Sequence, residues 1–150
     1  MFLRTNKMIL GSDHGGHELK QHLIGFLQAK GITVIDAGCN GSDSVDYPEF
    51  GSKVAKEVVA GNAEAGIVIC GTGIGISIAA NRVKGARASL CHDTTYAKLT
   101  RQHNDSNILA LGGRFLSIPQ AEAIVQTWLS TEYEGGRHQH RVDLLDCIGE

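Results

Sequence analysis

The 150-residue sequence has no long apolar run, no block of charge of one sign and no closely spaced pair of cysteines. Because no segment approaches the roughly 20 residues of a membrane-spanning helix, we expect a soluble protein with no membrane contact. The 14 basic and 16 acidic residues are scattered along the chain. This scatter argues against a nucleic-acid partner and favours a small, roughly neutral partner.

The cysteines and the start of the chain indicate where the protein works. Cys39, Cys70, Cys91 and Cys147 lack the CxxC spacing of zinc and redox motifs. The opening stretch MFLRTNKM is too short and too interrupted to resemble a secretory signal. We therefore expect reduced thiols and a cytoplasmic location.

Short β-rich segments alternate with longer segments of helical period. Leu19, Leu23 and Leu27 recur at helical spacing, and a second such series runs through residues 118–129. Strands are predicted at residues 7–12, 32–38, 66–70, 86–91 and 107–113. Apolar strands separated by helices indicate a parallel sheet covered on both faces. A chain of this length buries about 70% of its unfolded surface in one core, so the sequence predicts a single doubly wound α/β domain.

The last stretch, EGGRHQHRVDLLDCIGE, predicts a Gly-Gly turn and then an amphipathic helix over about residues 135–148. Five strands are already matched by five helices, so this sixth helix is surplus to the sandwich. We expect it to pack on a partner subunit.

Ligands of such domains bind at the carboxyl ends of the strands. The residues at these ends are therefore the first candidates for a site. They are Ser12, Asp13 and His14 after the first strand, residues 70–75 after the third, His92 and Asp93 after the fourth, and Arg114 after the fifth. Asp13 is also a suitable helix cap, and His14 is also a plausible surface histidine.

The segment CGTGIGIS joins a cysteine to alternating glycines. Gly71, Gly73 and Gly75 expose successive N–H groups near the start of a helix, where an anion can approach. The segment is neither a dinucleotide fingerprint nor a P-loop, and a tight turn packed with glycines explains it equally well. Cys70, directly before it, is either a small buried side chain or a base or nucleophile beside an oxyanion site.

Two further polar segments offer acid–base and phosphate chemistry. RQHNDSN contains His103, a general acid or base near neutral pH, although a solvated connection is the default interpretation. GGRHQHR places Arg137 and Arg141 on one helix face, either as a phosphate clamp together with His138 or as a solvated basic face.

Motifs from one end of the chain to the other carry a resemblance. SDHGG, VIDAG, DYP, ICGTGIGISIAANR, RQHNDSN and YEGGRHQHR occur in an order that resembles the type B ribose-5-phosphate isomerases of the ribose/galactose 6-phosphate isomerase family. The resemblance extends from residue 7 to about residue 146. It implies a Rossmann-like, three-layer α/β/α sandwich with a five-stranded parallel sheet.

The resemblance also implies an activity and an assembly. Members interconvert ribose 5-phosphate and ribulose 5-phosphate through an enediolate, a step of pentose phosphate metabolism, without a metal or an organic cofactor. They work as a homodimer or as a dimer of dimers. The site is completed across the dimer, with the RQHNDSN segment and the arginine after the fifth strand expected from the neighbouring subunit.

The resemblance assigns roles to individual residues. Cys70 is expected to be the base, since relatives that lack this cysteine use a glutamate further along a loop that here reads Gly-Ile-Ser. His103 is expected to assist ring opening, with Asn104 beside it, and Thr72 to lie near the sugar oxygens. The remaining expected contacts are the loop N–H groups at Gly71, Gly73, Ile74 and Gly75 for the oxyanion, Asp13 and His14 for sugar and phosphate, Tyr47 as a wall, and Arg114, Arg137 and Arg141 for phosphate.

Three alternatives stay open at this point. A 6-phospho-hexose isomerase of the same family, acting on allose or galactose 6-phosphate, has the same catalytic set. A non-enzymatic sugar-phosphate sensor keeps the fold without catalysis, although Cys70 and His103 argue against it. A nucleotide-binding α/β protein is disfavoured because both phosphate-loop patterns fail.

Overall fold

The apolar segments form one five-stranded parallel sheet in the computed structural model, which describes residues 1–149. The strands are β1 (Lys7–Ser12), β2 (Thr33–Asp36), β3 (Ala65–Cys70), β4 (Ala88–Leu90) and β5 (Ile108–Gly112). Their order across the sheet is β2-β1-β3-β5-β4. β2 is shorter than predicted because the chain turns after Asp36, whose carboxylate accepts a hydrogen bond from the Gly38 N–H. β4 is also shorter than predicted and lies at an edge, paired only with β5.

Six α-helices follow the strands. A 3₁₀ turn (His14–Gly16) leads into α1 (His17–Gln28), and the others are α2 (Tyr47–Val59), α3 (Ile74–Asn81), α4 (Thr94–Asn104), α5 (Ile118–Ser130) and α6 (Arg137–Cys147). Leu23 of α1 and Trp128 of α5 pack in one core, on one face of the sheet. Val54 of α2 and Ile76 of α3 pack in a second core on the other face. The predicted three-layer α/β/α sandwich is confirmed.

The strand order creates a crevice at the carboxyl edge of the sheet. β2 lies on one side of β1 and β3 on the other, so the connections that leave β1 and β2 cross opposite faces. The carboxyl ends of β1 and β3 meet where these connections diverge. This is the topological switch point at which doubly wound sheets bind ligands.

The sixth helix lies beyond the five strand–helix units. α6 falls within the predicted segment and exposes apolar side chains at Leu144 and Leu145, and Ile148 directly after the helix is exposed as well. Its contact with a second subunit stays a prediction. Within residues 1–149, no helix combines the length and the apolar character needed to cross a bilayer.

Candidate active site

Cys70 ends β3 at the carboxyl edge of the sheet, and its side chain is buried. The chain turns at Gly73, where φ is +79°, and the Gly73 N–H donates a hydrogen bond to Cys70 Sγ over 3.2 Å. A Cβ at Gly73 would lie 2.6 Å from Leu90 Cδ1, so glycine is needed for this turn. An N–H group aimed at sulfur suits an atom that carries negative charge during a reaction.

The loop after the cysteine is tied to the turn that follows β5. Arg114 N donates to Gly71 O over 3.1 Å, and Ile74 N donates to Thr72 Oγ1 over 3.1 Å. The Thr72 oxygen is thus an acceptor from the backbone, and its own hydrogen can be donated to an oxygen of a bound molecule. The loop runs directly into α3, whose first turn presents N–H groups and a partial positive charge to an anion.

The end of β1 supplies a second loop, in contact with the first. Asp13 Oδ1 accepts hydrogen bonds from Gly15 N over 2.9 Å and Gly16 N over 3.2 Å, so Asp13 is a cap as well as a site candidate. A Cβ at Gly15 would lie 3.2 Å from Gly71 N, which shows how closely the loops approach. His14 Nδ1 lies 3.2 Å from Val45 N and accepts its hydrogen, so the neutral ring carries its proton on Nε2. The Nε2–H group of His14 can therefore donate a hydrogen bond to a bound molecule.

Tyr47 and Arg114 cover the glycine loop from two sides. A Cβ at Gly75 would lie 2.6 Å from the Tyr47 ring, and one at Gly71 would lie 3.1 Å from Arg114 Nη1. Tyr47 is the first residue of α2, and its ring lies over Gly75; its role as a wall of the sugar site stays a prediction. The expectation that Arg114 comes from a neighbouring subunit is wrong, because its backbone is bonded to Gly71 and holds the guanidinium over its own loop.

Ten of the predicted site residues therefore lie together around Cys70 at the carboxyl edge of the sheet, in a site that we call the cysteine crevice. Backbone contacts between the β1, β3 and β5 loops bring them together. They are Asp13, His14, Tyr47, Cys70, Gly71, Thr72, Gly73, Ile74, Gly75 and Arg114.

The other four predicted residues lie at the opposite edge of the sheet. α4 connects β4 to β5, two parallel neighbours, so it runs antiparallel to the strands. Asp93 caps its beginning at the carboxyl edge, and His103 and Asn104 end it at the amino edge. Within one chain, the topology separates His103 from Cys70 by the length of the sheet.

A cavity of about 400 Å³ forms where α4 ends and α6 begins. Its lining has two guanidinium groups, two imidazoles and an amide, with apolar side chains at one side. We call it the histidine–arginine cavity; its residues are His103, Asn104, Arg137, His138, Arg141, Val142 and Leu145. Arg141 Nη1 donates to Arg137 O over 3.1 Å, which places the second guanidinium back along the helix toward the first. The cationic lining suits an anion.

A buried arginine fixes the end of α4 that carries His103. Arg101 Nη1 donates to Asp105 Oδ1 over 2.9 Å and to Ser106 O over 2.6 Å, while its Nε donates to Thr131 O over 3.2 Å. Asp105 ends the helix in the left-handed conformation, with φ of +48°. Arg101, the first residue of the RQHNDSN segment, is therefore a structural residue. Its hydrogen bonds fix the last turn of α4, which carries His103.

His138, which the sequence places beside the two arginines of the candidate phosphate clamp, lines the same cavity. Its ring stacks on His103 with centroids 4.5 Å apart and planes inclined by 19°, and its Nε2 lies 3.4 Å from Glu134 Oε1. These three side chains also have ligand atoms within 4.8 Å of one another, as a metal site requires. Nitrogen lone pairs lie in the ring planes, so parallel stacked rings do not converge on one ion without rotating. The stacked arrangement therefore favours ring contact over chelation.

A buried lysine fixes the loop between β2 and α2, which reaches the cysteine crevice. Lys20 is fully buried, and its Nζ donates to Asp36 Oδ1 over 2.5 Å and to Cys39 O over 2.8 Å. Burial opposes ionisation of the Asp36 carboxyl, but the hydrogen bonds from Lys20 and Gly38 outweigh it and hold the pKa of Asp36 below its ordinary value. The ion pair therefore anchors the loop while the carboxylate is ionised.

Replacing Asp36 with asparagine is expected to lower the free energy of unfolding by about 2 kcal/mol at pH 7, because Lys20 loses its charged partner. The Asp36 side chain is 34% exposed, so the loss is smaller than for a fully enclosed pair. Since the folded-state pKa is depressed, this contribution is present above the unfolded pKa, about 4, and is lost as the pH falls through the folded value.

Urea unfolding at pH 7 and pH 3, at one protein concentration, measures this contribution. The difference between the wild-type protein and Asp36→Asn should narrow at pH 3. A difference of equal size at both pH values would contradict the role of the ion pair.

Three relatives match this chain over nearly their whole length. Ribose-5-phosphate isomerase B of Escherichia coli is 47% identical over 142 residues, which are 95% of this chain and 95% of that protein. The structure of ribose-5-phosphate isomerase B from Clostridium thermocellum matches with a TM-score of 0.93 at 53% identity, covering 93% of this chain and 95% of that one. The Mycoplasma genitalium protein of that name, solved with bound ribulose-5-phosphate, matches with a TM-score of 0.90 at 40% identity and covers 93% of each chain.

The sequence profile of one family, described as Ribose/Galactose Isomerase, matches residues 8–145. This range contains both the cysteine crevice and the histidine–arginine cavity. The match confirms the predicted family and, with the named relatives, the prediction of an isomerase. The chain belongs to the ribose/galactose isomerase family.

Proposed function

We propose that this protein interconverts ribose 5-phosphate and ribulose 5-phosphate, with Cys70 as the base. The observation that carries the proposal is the Gly73 N–H on Cys70 Sγ at 3.2 Å, in a crevice at the switch point of the sheet. The E. coli relative carries the name of this activity, and the M. genitalium relative was solved with the ketose product bound. The activity belongs to pentose phosphate metabolism.

The proposed chemistry moves one proton between two carbons. The Cys70 thiolate takes the proton from C2 of the open-chain aldose, and the electron pair of that C–H bond forms the C1–C2 double bond of an enediolate. The loop N–H groups and the start of α3 stabilise the charge on the oxygen. The thiol then returns its proton to C1, while a proton passes from O2 to O1, and ribulose 5-phosphate is formed. Thr72 Oγ1, held by Ile74 N, donates to a sugar oxygen during this exchange.

The aldose arrives as a closed furanose, so the ring has to open first. We assign this step to His103, which exchanges protons with the ring oxygen and the C1 hydroxyl. Because His103 lies at the far edge of the sheet from Cys70 in its own chain, it has to reach the crevice from a partner subunit. We therefore propose a homodimer, alone or paired into a dimer of dimers, in which each histidine–arginine cavity faces the partner's cysteine crevice.

Exposed apolar side chains support such a dimer. Ile74 and Ile78, one turn apart on α3, are 51% and 59% exposed, and Phe115 beside Arg114 is 70% exposed. These three side chains flank the cysteine crevice, where water contact is unfavourable for them. A two-fold axis near this rim would bury them and complete both sites at once.

Arg137 and Arg141 are proposed to hold the phosphate, with His14 and Arg114 facing it across the dimer. Replacing either α6 arginine with alanine is expected to raise KM for ribose 5-phosphate by about 10- to 100-fold, because a charge-assisted bond to phosphate is lost. Steady-state kinetics on ribose 5-phosphate and on unphosphorylated ribose measure this. KM should rise for ribose 5-phosphate and stay unchanged for ribose.

Lys98→Ala is the matched control, since it removes one positive charge from the exposed side of the neighbouring helix α4. It should leave both KM values unchanged. An equal penalty on both sugars in the arginine variants would mean that these side chains do not bind the phosphate.

The substrate itself is tested by comparing three sugars. Initial rates on ribose 5-phosphate, allose 6-phosphate and galactose 6-phosphate should be highest on the pentose. A higher kcat/KM on either hexose would replace the proposal with the 6-phospho-hexose isomerase of the same family. Binding of all three without turnover would indicate a sensor.

A further inference from the structure

We infer that His138 is a positioning residue, which holds the His103 imidazole in the orientation that opens the sugar ring. This inference rests on the ring-opening role proposed for His103. His138 acts through its stacked contact with that ring, 4.5 Å between centroids, and needs no contact with the reacting atoms.

The two rings come from different elements that are joined by backbone bonds. Glu134 N donates to Gln102 O over 3.1 Å, which ties the segment before α6 to the last turn of α4. Gly135 and Gly136 have φ of +65° and +56°, so the chain turns there, and α6 begins beside His103. His138 N then donates to Gly135 O over 3.1 Å. The position of the second ring is therefore set by the fold.

The orientation of the second ring is also set. His138 is 9% exposed, and its Nε2 faces the Glu134 carboxylate at 3.4 Å, one helical turn away in sequence. A carboxylate at that distance favours a proton on Nε2 and opposes a flip of the ring. With its position and its rotation fixed, the His138 ring is a flat support.

His103 needs such a support. It is half-buried in the last turn of α4, and on its open side the cavity offers Asn104, Arg137 and Arg141. The two guanidinium groups repel a protonated imidazole, and they contain no acceptor for the N–H of a neutral one. Stacking on His138 restricts the rotation of the His103 ring before substrate binds, and a catalytic group held in its reactive orientation reacts faster.

The test compares a sugar that must be opened with one that is already open. Ribose 5-phosphate closes its furanose through the 4-hydroxyl, whereas 4-deoxyribose 5-phosphate lacks that hydroxyl and stays open. His138→Ala is expected to lower kcat on ribose 5-phosphate by about 10- to 100-fold, the loss typical of a removed orienting partner. On the deoxy sugar the loss should stay below about 3-fold, with KM little changed on both.

His140→Ala is the matched control, because His140 is an exposed histidine on the same helix. It should match the wild-type protein on both sugars. His138→Phe keeps a flat ring without the nitrogen that faces Glu134, and it is expected to recover most of the kcat lost in His138→Ala. If His138→Ala fails to fold, His138→Phe still tests the inference, because it keeps a ring in the same place.

Three results would overturn the inference. Equal losses of kcat on the two sugars would mean that His138 acts on the proton transfer or on the fold. A rise in KM on both would make it a phosphate contact. A His138→Phe variant as impaired as His138→Ala would exclude support by stacking.

His103→Ala separates failure of this inference from failure of the proposed function. If His103→Ala shows the large loss on ribose 5-phosphate alone and His138→Ala behaves like His140→Ala, only the positioning role is wrong. If His103→Ala affects both sugars equally, the ring-opening assignment is wrong and the positioning role falls with it.

Discussion

Replacing Cys70 with alanine is expected to lower kcat on ribose 5-phosphate by about 1,000-fold or more, since a general base contributes up to about 10⁴-fold. Sugar-phosphate binding should persist, because the loop N–H groups, Arg114 and the arginines proposed to come from the partner subunit are unchanged. The same loss is expected on 4-deoxyribose 5-phosphate, since the proton transfer follows ring opening. Steady-state rates measure the loss of kcat, and calorimetric titration with ribulose 5-phosphate measures the retained binding.

Cys91→Ala is the matched control, because Cys91 directly follows the edge strand β4, two strands away from β3. Cys91 is 1% exposed, and burial, together with the charge of Asp93, raises the pKa of its thiol to about 12. It is thus a packing residue, and its removal should cost about 1 kcal/mol of stability and leave kcat within about 2-fold. If Cys70→Ala lost stability and kept its activity, Cys70 would be the packing residue.

Mixing Cys70→Ala and His103→Ala subunits is expected to restore activity that neither variant has alone. After equal amounts are unfolded and refolded together, random pairing makes about half of the dimers mixed. Each mixed dimer has one site with both substitutions and one intact site, formed by Cys70 of one protomer and His103 of its partner. About a quarter of the wild-type activity should therefore return.

Refolding each variant separately and then mixing the folded proteins is the control, and its activity should stay at the level of the single variants until subunits exchange. Native mass spectrometry shows whether mixed dimers have formed. Mixed dimers without recovered activity would place Cys70 and His103 in one chain's site, against the separation that the direction of α4 imposes.

The fold and the cysteine crevice could be predicted because they follow from local patterns. Alternating strand and helix periods require a parallel sheet with covered faces. In such a sheet the residues after β1, β3 and β5 come together. The convergence of Asp13, Cys70 and Arg114 is a consequence of that rule. Tyr47 was reached through the family resemblance alone, because its place over Gly75 depends on where the β2–α2 loop ends.

The histidine–arginine cavity and the buried lysine depend on long-range packing that no local sequence pattern indicates. α4 runs from the carboxyl to the amino edge of the sheet, which separates His103 from Cys70. No local sequence pattern shows that the start of α6 packs beside His103. The stacking on His138 follows from the turn at Gly135 and Gly136 and from the backbone hydrogen bond between Glu134 and Gln102. The Lys20–Asp36 pair joins residues 16 positions apart through the core, and an apolar helix face predicted from sequence gives no reason to expect a buried lysine.

Hydrogen exchange at the sugar carbons tests the central claim, that the Cys70 sulfur moves the proton, most directly. With ribulose 5-phosphate in deuterium oxide, the wild-type protein should place solvent deuterium on C1, observed as loss of the C1 proton signal by NMR. Cys70→Ala, at concentrations that saturate it with the sugar, should show no incorporation above the uncatalysed rate. Incorporation by Cys70→Ala at the wild-type rate would contradict the account, because another group would then be removing the proton.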